Sequence, residues 1–196
     1  MIVMRYLLIP IFLLISISIM AGNSNYRVDF TQEDLSFTLS EGLFKLDGDY
    51  MFSNYSPEDI TQNIYFPIPA DEKSLPADHI TMEVIKPLAG QKVKITSVNP
   101  QGFWFELTLP AQTIAVCKIK YEQKLLGKSA KYILLTANSW GKPLEYAKYT
   151  LNVSNKMNLV KPPLDNPVIT KRLFGKQYKW EYTNYSPDKD FIVEFK

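Results

Sequence analysis

The sequence predicts an all-β fold, an antiparallel β-sandwich of about a dozen strands, from three observations. Short runs alternate apolar and polar residues, turn-forming clusters separate those runs at even spacing, and hardly any window carries the ~3.6-residue period of a helix. Period-two alternation sets one face of a strand on a core and the other in water, as antiparallel sheets require. It is clearest in Leu35-Ser36-Phe37-Thr38-Leu39-Ser40, in Ile80-Thr81-Met82-Glu83-Val84-Ile85-Lys86 and in Val93-Lys94-Ile95-Thr96-Ser97-Val98.

In chain order, the first strand is 35–40, and 43–53 follows with Tyr50 and Phe52 in alternation. The next, 62–68, carries Ile64-Tyr65-Phe66, and 80–86 and 93–98 are the alternating runs above. In 101–109, Phe103, Phe105, Leu107 and Leu109 share one face and Trp104, Glu106 and Thr108 the other. In 113–122, Ala115, Cys117, Ile119 and Tyr121 lie opposite the lysines. Runs at 131–137, 145–153 and 167–173 precede 176–183, where Tyr178, Trp180 and Tyr182 alternate, and 191–195 closes the set. Pro67, Pro69, Pro76, Pro87, Pro100 and Pro110 fall mostly between strands, where a missing N–H costs no ladder bond. Two segments have helical-turn composition, Thr31-Gln32-Glu33-Asp34 and 70–75, the latter bracketed by Pro69 and Pro76. The segment 160–167, with Pro162, Pro163 and Pro167, reads as an extended connection.

The first 21 residues stand apart: after Arg5, positions 6–21 carry no charge, and Gly22-Asn23-Ser24-Asn25 follows. A basic start, an apolar core and a small-residue exit predict a signal peptide cleaved after Ala21, with an uncleaved anchor as the alternative. Pro10 interrupts the run, which is shorter than the roughly 20 residues a spanning helix needs, so no stable membrane span is expected once the signal is gone. The chain is therefore expected in the periplasm or outside the cell, as one domain over 22–196 or as two lobes, 25–126 and 130–196.

Loss of Arg5 leaves 21 basic against 20 acidic residues, no electrostatic footprint for nucleic acid or an anionic membrane. Lys118, Lys120, Lys124, Lys128 and Lys131 read as a solvated face diluted by Glu122. A single cysteine excludes an internal disulfide, and a domain of this size buries roughly 70% of its extended-chain surface without one.

The tetrapeptide Asn-Tyr-Ser-Pro occurs twice, at 54–57 and 184–187, each time between strand-like runs and before an acidic residue. Ser-Pro followed by an acid suits a type I turn, so the recurrence reads as a reused hairpin turn. A duplicated half-domain and a paired binding site built on Tyr55 and Tyr185 are the alternatives.

Catalytic chemistry has few carriers. Alternation buries Cys117 as a small hydrophobe, and His79, the only histidine, sits at a strand start, so neither a Cys–His pair nor a zinc centre is expected. Asp47, Asp49, Glu58 and Asp59 are candidates for a calcium cage or a carboxylate acid/base pair, although Asp47-Gly48-Asp49 also has hairpin-turn composition. Asn152-Val153-Ser154 is a glycosylation sequon. Trp104, beside Glu106, offers an exposed ring for stacking a sugar or packing under a loop, Trp140 plugs a loop, and Trp180 belongs to the core.

Phe52-Ser53-Asn54, Ile64-Tyr65-Phe66-Pro67-Ile68-Pro69 and Ile80-Thr81-Met82-Glu83-Val84 resemble the opening of vault protein inter-alpha-trypsin (VIT) type modules. Phe105-Glu106-Leu107-Thr108-Leu109-Pro110-Ala111-Gln112-Thr113, running into Ile119-Lys120-Tyr121-Glu122-Gln123-Lys124-Leu125, is similar to the strand, turn and Tyr-ended strand of that family, so the resemblance covers about 46–125, with Ala111 where such turns usually have Gly. The stretch 140–147 is similar to bacterial envelope proteins of the same sandwich pattern. The resemblance implies a β-sandwich used for interaction, immunoglobulin-like or VIT-like, and carries over no activity and no catalytic residue; no cofactor is expected. The expected function is a non-enzymatic protein-interaction or scaffolding module whose partner is another envelope protein. Carbohydrate binding through exposed aromatics and a carboxylate-based enzyme are the alternatives. The candidate binding residues are Trp104, Glu106, Tyr55 and Tyr185.

Overall fold

Alternation becomes strand throughout the described residues, 27–86 and 90–196 of a computed structural model. The apolar segment 6–21 and the bond after Ala21 lie outside them. The strands are β1 (Asp29–Ser40), β2 (Leu43–Ser53), β3 (Ile60–Pro67), β4 (Asp78–Lys86), β5 (Lys92–Asn99), β6 (Gly102–Leu109), β7 (Ile114–Lys124) and β8 (Ser129–Tyr132). A 3₁₀ helix (Leu135–Trp140) follows, then β9 (Leu144–Ser154), β10 (Val168–Arg172), β11 (Gly175–Tyr185) and β12 (Phe191–Glu194).

One layer is a seven-stranded sheet in the order β10-β11-β9-β1-β2-β7-β4, and the facing layer holds two smaller sheets, β3-β6-β5 and β12-β8. The fold is thus an all-β sandwich, and 25–126 and 130–196 contribute strands to the same large sheet. Leu35, Phe37 and Leu39 of β1 meet Phe103, Phe105 and Leu107 of β6 and Phe191 and Val193 of β12 in the core, and Phe37 stacks on Phe191 at 4.5 Å. The expectation of purely antiparallel sheets fails at one place: β1 and β9 pair in parallel, Leu35 beside Tyr149. Between them the chain has crossed through β8 and the 3₁₀ helix, so it re-enters the sheet running the same way, as parallel pairing requires.

Thr31-Gln32-Glu33-Asp34, read as a helical turn, is the start of β1. The core-facing row of Leu35 continues backwards by twos to Glu33 and Thr31, both buried. The segment 70–75 is a tight turn closed by the Asp71–Ser74 bridge rather than helix. The run 131–137 breaks after Tyr132 into the 3₁₀ helix.

The repeated Asn-Tyr-Ser-Pro is not a hairpin turn in either copy. The first joins β2 to β3 and the second β11 to β12, and both times the chain leaves the seven-stranded sheet for the facing layer. The shared tetrapeptide works differently at each corner. Asn54 is buried; its Nδ2 donates to the carbonyls of Glu58, Leu109 and Pro110, and its Oδ1 accepts from Ser56 N and Oγ. Asn184 is exposed and adopts φ +50°, and it is Pro187 that is buried.

Asp47-Gly48-Asp49 lies mid-strand in β2. A Cβ at Gly48 would stand 2.8 Å from Leu35 Cδ2 and 2.8 Å from Tyr50 Cε2, so the missing side chain is what lets the Tyr50 ring lie back along the core face. Asp47 and Asp49 point to the outer face, where Lys118 lies 3.1 Å and 2.5 Å from them and Lys120 lies 2.9 Å from Asp47.

Candidate functional site

A cleft of about 580 Å³ opens between the layers, where the edge of the β3-β6-β5 sheet meets Tyr132 and the 3₁₀ helix. Its apolar walls include Phe30, Phe52, Ile64, Phe66, Leu134 and Trp140. Phe52, Ile64 and Phe66 come from the core-facing rows of β2 and β3, Phe30 from β1 beyond its bulge, and Leu134 and Trp140 from the start and end of the helical turn, so the walls are continuous with the core. Trp140 packs its ring on Phe30 and Phe52, at 5.8 Å and 5.9 Å. Arg27 donates from Nη2 to the Trp140 carbonyl at 2.5 Å and fixes that end of the helix to the chain entering β1.

The polar lining comes from Glu33 of β1, Tyr50 of β2, Gln62, Asn63 and Tyr65 of β3, Tyr132 of β8, Thr136 and Ser139 of the 3₁₀ helix, and Arg27. Glu33, only 3% exposed, sits opposite Tyr50 in the β1–β2 register and lines the cleft. Tyr149 of β9, also buried, donates its hydroxyl to Glu33 Oε1 at 2.5 Å. That is the one hydrogen bond of the Glu33 side chain among the described residues. The Tyr50 and Tyr132 hydroxyls hydrogen-bond across the layers at 2.9 Å. Burial raises the Glu33 carboxyl to about 7 although the Tyr149 hydrogen bond pulls it down. Burial and the nearby Glu33 carboxyl together hold the Tyr149 and Tyr132 phenols far above their ordinary value. A carboxyl poised near neutrality therefore sits under an aromatic funnel. Ionised, it accepts hydrogen bonds only; Tyr149 supplies one donor, and no positive charge pairs with it among the described residues.

The residues singled out from sequence do not converge on this cleft. Trp104 and Glu106 lie on the outer face of β6; Trp104 is 44% exposed, with its ring tilted 47° against Tyr65 at 5.1 Å. Tyr55 is 63% exposed at the first corner. Tyr185 is half-buried, stacked on Tyr182 at 4.2 Å and edge-on to Tyr149. None of the four lines the cleft. Of the carboxylates, Asp59 accepts the Ala111 N–H at 2.9 Å while Asp47 and Asp49 pair with lysines, and the described residues form no cluster of three or more metal-ligating side chains. Cys117 is buried, its thiol pushed up to about 12 by burial. His79 sits exposed at the end of β4 beside Asp78. Glu33 escaped sequence reasoning because it falls in a polar quartet; the signal that finds it is the inward row of Leu35 and Phe37 carried two residues further back.

No family model matches the chain, and a search of curated proteins finds no match. Among solved structures, the chain is similar to a candidate nutrient binding protein from Legionella pneumophila, with a TM-score of 0.66 and 12% identity, over 86% of this chain and 66% of that one. It also aligns with an M1 zinc metallopeptidase from Deinococcus radiodurans at a TM-score of 0.48 and 11% identity, over 85% of this chain and 42% of that one. The chain spans about two thirds or less of the length of these proteins. At such identity the likeness to the Legionella protein shows the β-rich fold alone.

Proposed function

We propose that the chain is a non-enzymatic binding protein that holds a small ligand in the cleft between its sheets, with an apolar body against the aromatic walls and a hydrogen-bond-donating end, a protonated amine foremost, on Glu33. One observation carries the reading: a buried carboxyl, with Tyr149 as its only hydrogen-bond partner among the described residues, at the side of a cleft large enough for a small molecule. Burying a carboxyl is costly, and a sandwich of this size would be more stable with an apolar residue in its place, so the group is best explained by what it holds. The binding character agrees with the name of the Legionella neighbour, which shares only the fold.

A binding rather than catalytic role is supported by the dispersal of reactive groups: the thiol lies in the core and the histidine at an exposed strand end. Sugar stacking on Trp104 is the weaker reading, because the tilt of Trp104 against Tyr65 leaves no flat platform. The same proposal puts the chain in the periplasm or outside the cell, on the strength of the uncharged run 6–21 after Arg5, and makes another envelope protein the natural recipient of the ligand. A thermal-shift panel of apolar amines, alcohols and carboxylates at pH 8 tests the ligand class. Amines are expected to raise the melting temperature of the native chain and not of Glu33→Gln; stabilisation by carboxylates, or by nothing in the panel, contradicts it.

A further inference from the structure

The β10–β11 hairpin ends in a two-residue turn, Leu173-Phe174, closed by the Arg172–Gly175 pair. Leu173 is 81% exposed and Phe174 80%. Turns in water favour Gly, Pro, Asn, Asp and Ser, and a pair of large apolar side chains at an apex gains nothing for folding. Yet the turn is firmly held. Asn155 donates from Nδ2 to the Leu173 carbonyl at 3.1 Å and from its backbone N–H to the Phe174 carbonyl at 3.0 Å. A Cβ on Gly175 would collide with the Val153 carbonyl oxygen, so glycine is required where the hairpin meets β9. The backbone of the tip is satisfied and its position set, while its two side chains stand in water.

Charge completes the pattern. Residues 168–180 contain Lys171, Arg172, Lys176 and Lys179 and no acid, the nearest in sequence being Asp165 before them and Glu181 at the far end from the tip. Eight lysines elsewhere, such as Lys118 and Lys148, pair with carboxylates. Among the described residues none of the hairpin cations does, and Arg172 donates only to Gln177 Oε1, at 2.8 Å. A formal net charge of +2 for the whole chain conceals this local excess. A second exposed apolar residue beside a cation, Leu126 after Lys124, lies at the same end of the large sheet, where Leu125 N donates to the carbonyl of Gly42 in the β1–β2 turn.

We infer that this hairpin docks the protein on an anionic lipid surface, Leu173 and Phe174 entering the headgroup and acyl boundary while Lys171, Arg172 and Lys176 meet the phosphates. An apolar apex with a cationic collar matches the layering of a bilayer interface, where apolar side chains sit below the headgroups and each basic residue adds about five-fold to partitioning. An acidic protein would instead be met along the free edge of β10, leaving the apex in water. This docking is peripheral and independent of the cleft.

The test places a nitrobenzoxadiazole label on Leu173→Cys in the full chain; buried Cys117 stays unlabelled in the native state. Vesicles of phosphatidylcholine with phosphatidylglycerol are compared with phosphatidylcholine alone and with soluble polyglutamate. The expected result is a blue-shifted, brighter emission on anionic vesicles only, abolished by about 0.5 M salt, roughly the range where the Debye length falls to a few ångström. Adding Lys171→Glu and Arg172→Glu should weaken vesicle affinity by about 25-fold or more. No shift on anionic vesicles overturns the proposal. So does a shift with polyglutamate but not vesicles, which would assign the hairpin to an acidic protein, or a shift that survives charge reversal.

Discussion

Replacing Glu33 with Gln removes the ionisable group while keeping an acceptor for the Tyr149 hydroxyl, so its effect on stability isolates the cost of a buried carboxylate. In the folded chain the carboxyl is raised from 4.5 to about 7, with burial as the main cause. Below pH 4.5 the group is protonated whether the chain is folded or not, and nothing is lost. Between 4.5 and about 7 the unfolded chain has released the proton and the folded chain still holds it, so stability falls as pH rises through that window. Above it the loss is complete, on the order of 3 kcal/mol. The glutamine variant has no proton to release. The gap between variant and native should therefore grow from near zero around pH 4 to about 3 kcal/mol at pH 8, or roughly 6–12 °C in melting temperature for a domain of this size. Urea unfolding of both proteins from about pH 4 to pH 9 reads it directly. Parallel stability curves would mean that Glu33 titrates as an exposed carboxyl and would refute the placement of its side chain.

Gly48→Ala should cost about 1–3 kcal/mol in urea unfolding, because the new Cβ pushes Tyr50 off the hydrogen bond it makes to Tyr132. The two corner asparagines should part company. Asn54→Ala strands several buried groups and should cost about 3 kcal/mol or more, while Asn184→Ala, exposed and left-handed, should cost only about 1–2 kcal/mol. Equal losses would restore a common role for the repeated tetrapeptide. Cys117, buried and with its thiol pushed up to about 12, should react with a thiol reagent at pH 8 only as fast as the chain unfolds, and Cys117→Ser should cost about 1–3 kcal/mol. Rapid native labelling would contradict its burial.

The strands were legible because alternation is a local signal: a side chain's face follows from its neighbours two residues away, and the strand runs anticipated from sequence have counterparts among the described residues, except that 131–137 is strand only at Lys131 and Tyr132. Partner choice is not local. Nothing in β1 or β9 alone announces that Leu35 will lie beside Tyr149 in parallel, or that Asn54 and Asn184 mark crossings between layers rather than hairpins. The cleft was illegible for the same reason, since it is the gap left where the two smaller sheets and the 3₁₀ helix do not close over β1 and β2. Trp104, Glu106 and Tyr55 were conspicuous because they are polar-faced or turn-bound, and such residues end up outside. Glu33 was inconspicuous because a carboxylate on an inward row looks like an error in the pattern until the row is followed to its end. Net charge misled in a similar way: a formal +2 for the whole chain averages away the four cations of 168–180.

A carbon-13 titration of the Glu33 side-chain carboxyl, with and without a saturating apolar amine selected from the thermal-shift panel, tests the cleft and its ligand class together. The apparent pKa is expected near 7 in the free protein and lower when the amine is bound, because a positive charge in contact favours the carboxylate. A carboxyl that titrates at its ordinary value near 4.5 and does not respond to the amine would contradict both the burial of Glu33 and its role in holding a ligand.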